Sequence, residues 1–102
     1  MVTTSVPEVP DREIEDFCRR WKVASLWLFG SGARGELRPD SDLDFMVEFE
    51  AGENWDLLSF ARMYSELKAI TGRPVDLVEK GTIENPYRRA AIERDLTLVY
   101  TA

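Results

Sequence analysis

Two short stretches carry side chains whose types and spacing could do chemistry. They are Gly30-Ser31-Gly32-Ala33-Arg34-Gly35 and, shortly after it, Asp42-Leu43-Asp44. Three glycines in six residues allow positive backbone dihedrals and let a ligand come close to the main chain. A strand feeding such a turn, then a helix N-terminus, presents unpaired N–H groups to an anion. Ser31 can add a hydroxyl donor at the same place. The spacing is neither that of a Walker loop nor that of a dinucleotide fingerprint. Taken alone, the segment is as readily a plain tight turn as a phosphate cradle.

The two aspartates say more. A separation of two sets both carboxylates on one strand face, their attachment points roughly 7 Å apart, while Leu43 points into the core. Two acids on one ledge repel when empty, and an oxygen-seeking Mg²⁺ or Mn²⁺ would relieve the repulsion. The plain alternative is a pair of solvated acids at a strand start. A phosphate cradle beside a cation ledge makes a nucleotide site. Asp76, the polar interruption of Pro74-Val75-Asp76-Leu77-Val78, supplies a possible third carboxylate. An ordinary surface strand gives the same pattern. If this strand lies beside Asp42–Phe49, however, all three acids converge at one edge.

The elements that must position these residues follow from periodicity. Val23–Phe29 is apolar except for Ser25 and reads as a buried strand feeding the glycine turn, which exits into a short helix. In Asp42–Phe49, Leu43, Phe45, Val47 and Phe49 alternate with Asp42, Asp44, Met46 and Glu48, as in a strand with one packed face. A helical pattern runs over Asp56–Thr71, with Asn54 or Asp56 to cap it and Gly72 to end it. A short strand spans Val75–Glu79. Asn85-Pro86 then reads as an N-cap and first helical position for a helix through Arg94, and Thr97–Tyr100 adds a last strand. Upstream, Asp11 can cap a helix with the apolar stripe Ile14, Phe17, Cys18 and Trp21. Cys18 belongs to that stripe rather than to a nucleophilic site. The fold class expected is α+β, a mixed sheet covered by helices.

Composition sets the bounds. The 102 residues suit one domain, 1–102, with residues 1–10 irregular around Pro7 and Pro10. A hydrophobic share of 44% with 31% charged residues fits a globule and argues against wholesale disorder. One cysteine excludes an internal disulfide and points to a reducing compartment. No histidine occurs, which removes His-ligated metals and His-dependent triads. The net charge of −6 is concentrated in residues 36–56, where Glu36, Asp40, Asp42, Asp44, Glu48, Glu50, Glu53 and Asp56 face only Arg38. That distribution lacks a basic nucleic-acid footprint and favours divalent cations or a basic protein surface. Neither a secretory signal nor an apolar run of roughly 18 residues is seen. The expected location is the cytoplasm.

The combination resembles a minimal nucleotidyltransferase of the DNA polymerase beta superfamily, the MNT or MntA-type antitoxin group. The resemblance rests on Gly30-Ser31, ten intervening residues, and Asp42-Leu43-Asp44, and continues through Pro74-Val75-Asp76-Leu77-Val78 and the helix after it. It covers roughly Leu28 to the C-terminus and implies the polymerase beta-like nucleotidyltransferase fold. It further implies that Gly30 and Ser31 hold nucleotide phosphates. Asp42, Asp44 and Asp76 are then catalytic acids sharing two Mg²⁺ ions (Mn²⁺ serving as well), with Asp76 beside the attacking hydroxyl. Gly32 departs from the bulky or basic residue of many relatives, leaving Arg34 or Arg38 as candidates for phosphate contact. The activity implied is transfer of AMP from ATP to a tyrosine of a small all-helical HEPN toxin. Two rivals remain: a non-catalytic antitoxin acting by stoichiometric binding, and nucleotidyl transfer to a small molecule or nucleic-acid end. Trp55 and Tyr87 are either partner contacts or ordinary packing.

Overall fold

A computed structural model gives the structure of residues 1–30 and 41–102. Seven elements follow one another: α1 (Asp11–Arg20), β1 (Val23–Phe29), β2 (Leu43–Phe49), α2 (Leu57–Thr71), β3 (Val75–Glu79), α3 (Pro86–Arg94) and β4 (Thr97–Thr101). The strands form one sheet in the order β3-β2-β1-β4. β1 runs antiparallel to both β2 and β4, and β2 runs parallel to β3. This is the mixed, helix-covered sheet expected from the alternation of short strands and helices. The short helix expected after Gly30 lies outside the described residues.

The main core fills one sheet face. Ile14, Phe17 and Cys18 of α1 and Met63 and Leu67 of α2 pack on Leu26, Leu28, Leu43, Phe45, Val47 and Leu77. The helices are held there by local signals. The Asp56 carboxylate accepts from Ser59 N–H at 2.8 Å and caps α2, and Gly72 closes it in the left-handed region at φ 69°. Asn85 Oδ1 accepts from the N–H groups of Tyr87 (2.9 Å) and Arg88 (3.2 Å), with Pro86 as the first helical residue.

Two expectations need correction. Asp11 does not cap α1. Pro10 takes the N-cap position with extended dihedrals and no side-chain cap, and its carbonyl accepts from Ile14 N–H at 3.0 Å. Asp11 instead stands in the first turn, where a negative charge suits the helix dipole. Secondly, β2 is packed on both faces at its middle. Met46 is buried with Phe29 and Ile92 of α3, and Trp27, Val78, Ile83 and Leu96 pack around them. The acid-bearing face is thus covered beyond Asp44 and free at its start. The proline-containing start is irregular and is tied to the sheet. Val2 bridges Tyr100, Thr3 N–H donates to the Val99 carbonyl at 2.8 Å, and Thr101 N–H donates to the Met1 carbonyl at 2.9 Å.

Cys18 is wholly buried, and burial pushes its thiol up to about 12, as an inert core position requires. Trp55 is half-buried, edge-on to Trp21 at 5.0 Å and to Phe49 at 6.4 Å, so packing accounts for it. Tyr87, by contrast, is 86% exposed. No helix among the described residues is long and apolar enough to cross a membrane.

Candidate active site

The site is built at the junction of β1, β2 and β3. Pairing sets Phe29, the last residue of β1, opposite Asp44 of β2, and Asp44 opposite Asp76 of β3. Neighbouring strands lie about 4.8 Å apart, so residues in parallel register present their side chains on one face as neighbours. Leu43 N–H donates to the Pro74 carbonyl at 3.0 Å and fixes the two strand starts in line. Arg73 Nη1 adds a long bond to the Ser41 carbonyl at 3.4 Å. Asp42 stands exposed one residue before β2, and Asp44 and Asp76 are half-buried.

Gly30 closes the fourth side. Its φ is +70°, and a Cβ added there would sit 2.6 Å from Asp44 Oδ2. Both facts call for glycine: the dihedral is left-handed, and the carboxylate occupies the space a side chain would need. Ser31, Arg34 and Arg38, the other expected phosphate contacts, lie outside the described residues. Gly30 alone of that group is placed, with its backbone against Asp44.

The electrostatics are those of crowded acids. Burial first, then the negative charges of Asp76 and Asp42, push Asp44 above the usual carboxylate value, against a smaller opposing pull from Arg88. Two side chains that sequence reasoning missed hold Asp76. The Tyr64 hydroxyl of α2 lies 3.2 Å from Asp76 Oδ1. Arg88 Nη2 of α3 lies 3.9 Å from Asp76 Oδ2, with both side chains about half exposed. Such an exposed pair contributes little to stability. Its importance is that it sets a cation, Arg88, beside this carboxylate. Tyr64 reads in sequence as one more apolar residue of the α2 stripe, so nothing separates it from the core. Arg88 lies within Pro86-Tyr87-Arg88-Arg89, just after a recognisable cap, and its distance from Asp76 along the chain conceals the contact.

Among the described residues no three acids stand close enough to form a ready-made metal nest. The donor set nevertheless fits a hard divalent cation. It is all carboxylate oxygen, and Asp44 carries a repulsion from both other acids that a cation would remove. Like charges spread apart until such an ion draws them together. Asp44 and Asp76 are already neighbours in register, and Asp42 lies two residues before Asp44, just ahead of the strand.

Comparison with known proteins adds independent findings. The model of the nucleotidyltransferase domain family matches residues 11–99. A protein of Methanocaldococcus jannaschii described as a "Putative protein adenylyltransferase" is 42% identical over 80 residues, 78% of this chain and 80% of that one. The protein adenylyltransferase MntA of Thermococcus cleftensis is 41% identical over 66 residues, 65% of each chain. Among solved structures, one described as a "putative minimal nucleotidyltransferase" superposes with a TM-score of 0.67 at 36% identity, covering 85% of this chain and 86% of that one. A toxin–antitoxin structure with AMP-PNP has the same fold, with a TM-score of 0.74 at 20% identity over 92% of this chain and 75% of that one.

Proposed function

Because the chain belongs to the nucleotidyltransferase domain family, among its MntA-type protein adenylyltransferases, we propose that Asp42, Asp44 and Asp76 are the acids with which it transfers AMP from ATP to a hydroxyl of a partner HEPN toxin. The observation that carries this reading is the register of Asp44 with Asp76, beside a left-handed Gly30 whose missing side chain leaves room for the Asp44 carboxylate.

Each residue has a part. Asp42, Asp44 and Asp76 are the carboxylates that would hold the cations accompanying the triphosphate, two Mg²⁺ in this reading. Gly30 and Ser31 offer backbone N–H and hydroxyl donors to the phosphate oxygens. Divalent ions, when bound, offset the charge of the triphosphate and acidify the acceptor hydroxyl. Asp76, on the neighbouring strand, takes the proton of that hydroxyl, a tyrosine Oη in this proposal. The tyrosine oxygen bonds to the α-phosphorus, the bond from that phosphorus to the bridging oxygen breaks, and pyrophosphate leaves with the electron pair. Covalent catalysis by Cys18 is unsupported, since its thiol is buried on the far side of the sheet from Asp44. The cytoplasm, with its ATP and reducing conditions, is the proposed location, in keeping with an unpaired Cys18.

The test is intact-mass measurement of a HEPN partner after incubation with this chain, ATP and Mg²⁺. A mass gain equal to AMP is expected at substoichiometric amounts of the chain. It should fall about a hundredfold or more in rate with Asp44→Asn, on the scale of losing a preorganised electrostatic contact. An unmodified partner, neutralised only by an equal amount of the chain, would establish binding in place of catalysis.

A further inference from the structure

β3 is the outer strand of the sheet, so alternate N–H and C=O groups along its free side face away from β2. At Leu77 those groups are taken by one side chain from another element. The Tyr64 hydroxyl of α2 accepts from Leu77 N–H at 3.1 Å, and the Leu77 carbonyl lies 3.0 Å from the same oxygen. Asp76 Oδ1 is the third group within reach, at 3.2 Å. A hydroxyl has one proton and two lone pairs. The lone pair receives Leu77 N–H, and the proton is shared between the Leu77 carbonyl and the Asp76 carboxylate.

This oxygen is thereby fixed to the main chain of residue 77 while touching the side chain of residue 76. It holds the Asp76 carboxylate at a set place relative to its own strand, where a free carboxylate would turn about its χ angles. The opposite carboxylate oxygen faces Arg88, a half-exposed partner at 3.9 Å. Of the two contacts, Tyr64 is the one anchored at both ends, by the α2 backbone and by β3. We propose that Tyr64 is a positioning residue: it holds the carboxylate of Asp76, the register neighbour of Asp44, in one orientation, so that less ordering is left for a divalent cation to impose.

This inference rests on the assignment of Asp42, Asp44 and Asp76 proposed above, and the experiment separates the two. Mn²⁺ alone is titrated into the nucleotide-free protein, with the unbound ion followed by electron paramagnetic resonance. Wild type, Asp44→Asn, Tyr64→Phe and Tyr64→4-aminophenylalanine are compared, each below its own melting temperature. Partners that orient metal-binding side chains typically contribute a factor of 10–100 in affinity. Tyr64→Phe is accordingly expected to bind Mn²⁺ about tenfold more weakly. It should need about tenfold more Mg²⁺ for half-maximal AMP transfer while keeping kcat within about twofold once Mg²⁺ saturates. The 4-aminophenylalanine variant retains an N–H donor at the ring's far end and is expected to restore binding.

Unchanged Mn²⁺ affinity in Tyr64→Phe, beside a loss in Asp44→Asn, would reduce Tyr64 to a cover for the strand edge and overturn the inference alone. So would a 4-aminophenylalanine variant that binds no better than the phenylalanine one. A wild type that takes up no Mn²⁺, or an Asp44→Asn that takes it up unchanged, would overturn the carboxylate site and this inference with it.

Discussion

Gly30 is the residue at which main-chain shape and acid chemistry meet. Gly72 has nearly the same dihedral, φ +69° against +70°, but nothing lies within 4 Å of a Cβ built on it. Alanine at either position carries the left-handed penalty of about 1–2 kcal/mol, worth roughly 4–8 °C per kcal/mol in a domain of this size. Only Gly30→Ala also meets Asp44 Oδ2 at 2.6 Å. Both variants are therefore expected to melt earlier, and only Gly30→Ala to lose AMP transfer at a temperature where it is fully folded. Calorimetry paired with a transfer assay checks this, and equal transfer by the two variants would refute it. At this scale the acids were legible because strand alternation assigns Asp42 and Asp44 to one face with Leu43 on the other. Asp76 was legible as the polar break in an apolar run. Tyr64 was not, because a tyrosine at helical spacing has the same pattern whether its hydroxyl meets water or a carboxylate. Ser31, Arg34 and Arg38 stand as expectations from sequence alone.

Among the elements, the helices with side-chain caps were read most closely. Asp56 and Asn85 act through short-range bonds to N–H groups two or three residues ahead, so their signals are local in the chain. α1 was misjudged at its start for the same reason. An aspartate beside a helix offers a cap, but the turn through Pro7 to Pro10 decides which residue takes the position. The second packed face of β2 escaped notice because Met46 meets Ile92, a contact between elements far apart in sequence. α2 offers a pH test. The Ser59 side chain and N–H bond the Asp56 carboxylate and lower it from 3.8. A lowered folded-state value stabilises the fold above the ordinary carboxylate value, and that contribution is lost as pH falls through the lowered one. Asp56→Ala should melt below wild type at pH 7 with transfer unchanged, and the gap should close as acid protonates Asp56 in the wild type. A gap that stays constant down to the lowest pH would contradict this role.

For the whole molecule, Cys18 reports on integrity. It lies in the main core against α2 and the sheet, fully buried, with its acidity suppressed by burial. A disulfide reagent at pH 8 should react with it only through unfolding, so the labelling rate should rise with urea in step with loss of helical signal. Rapid labelling of the native protein would contradict the packing of α1. The mixed sheet with covering helices was legible because short strands alternating with amphipathic helices admit few other arrangements. The sheet order was not, since no local signal says that β4 returns beside β1. The treatment of the two flanks has a consequence beyond the reaction. Met1 and Thr3 bond along β4 on one side, and the Tyr64 hydroxyl occupies Leu77 on the other. An open sheet with bare margins is a template on which further chains can stack into fibres. Here both margins are partly occupied by groups of the same chain, which opposes such stacking while the strand starts that carry the acids stay uncovered.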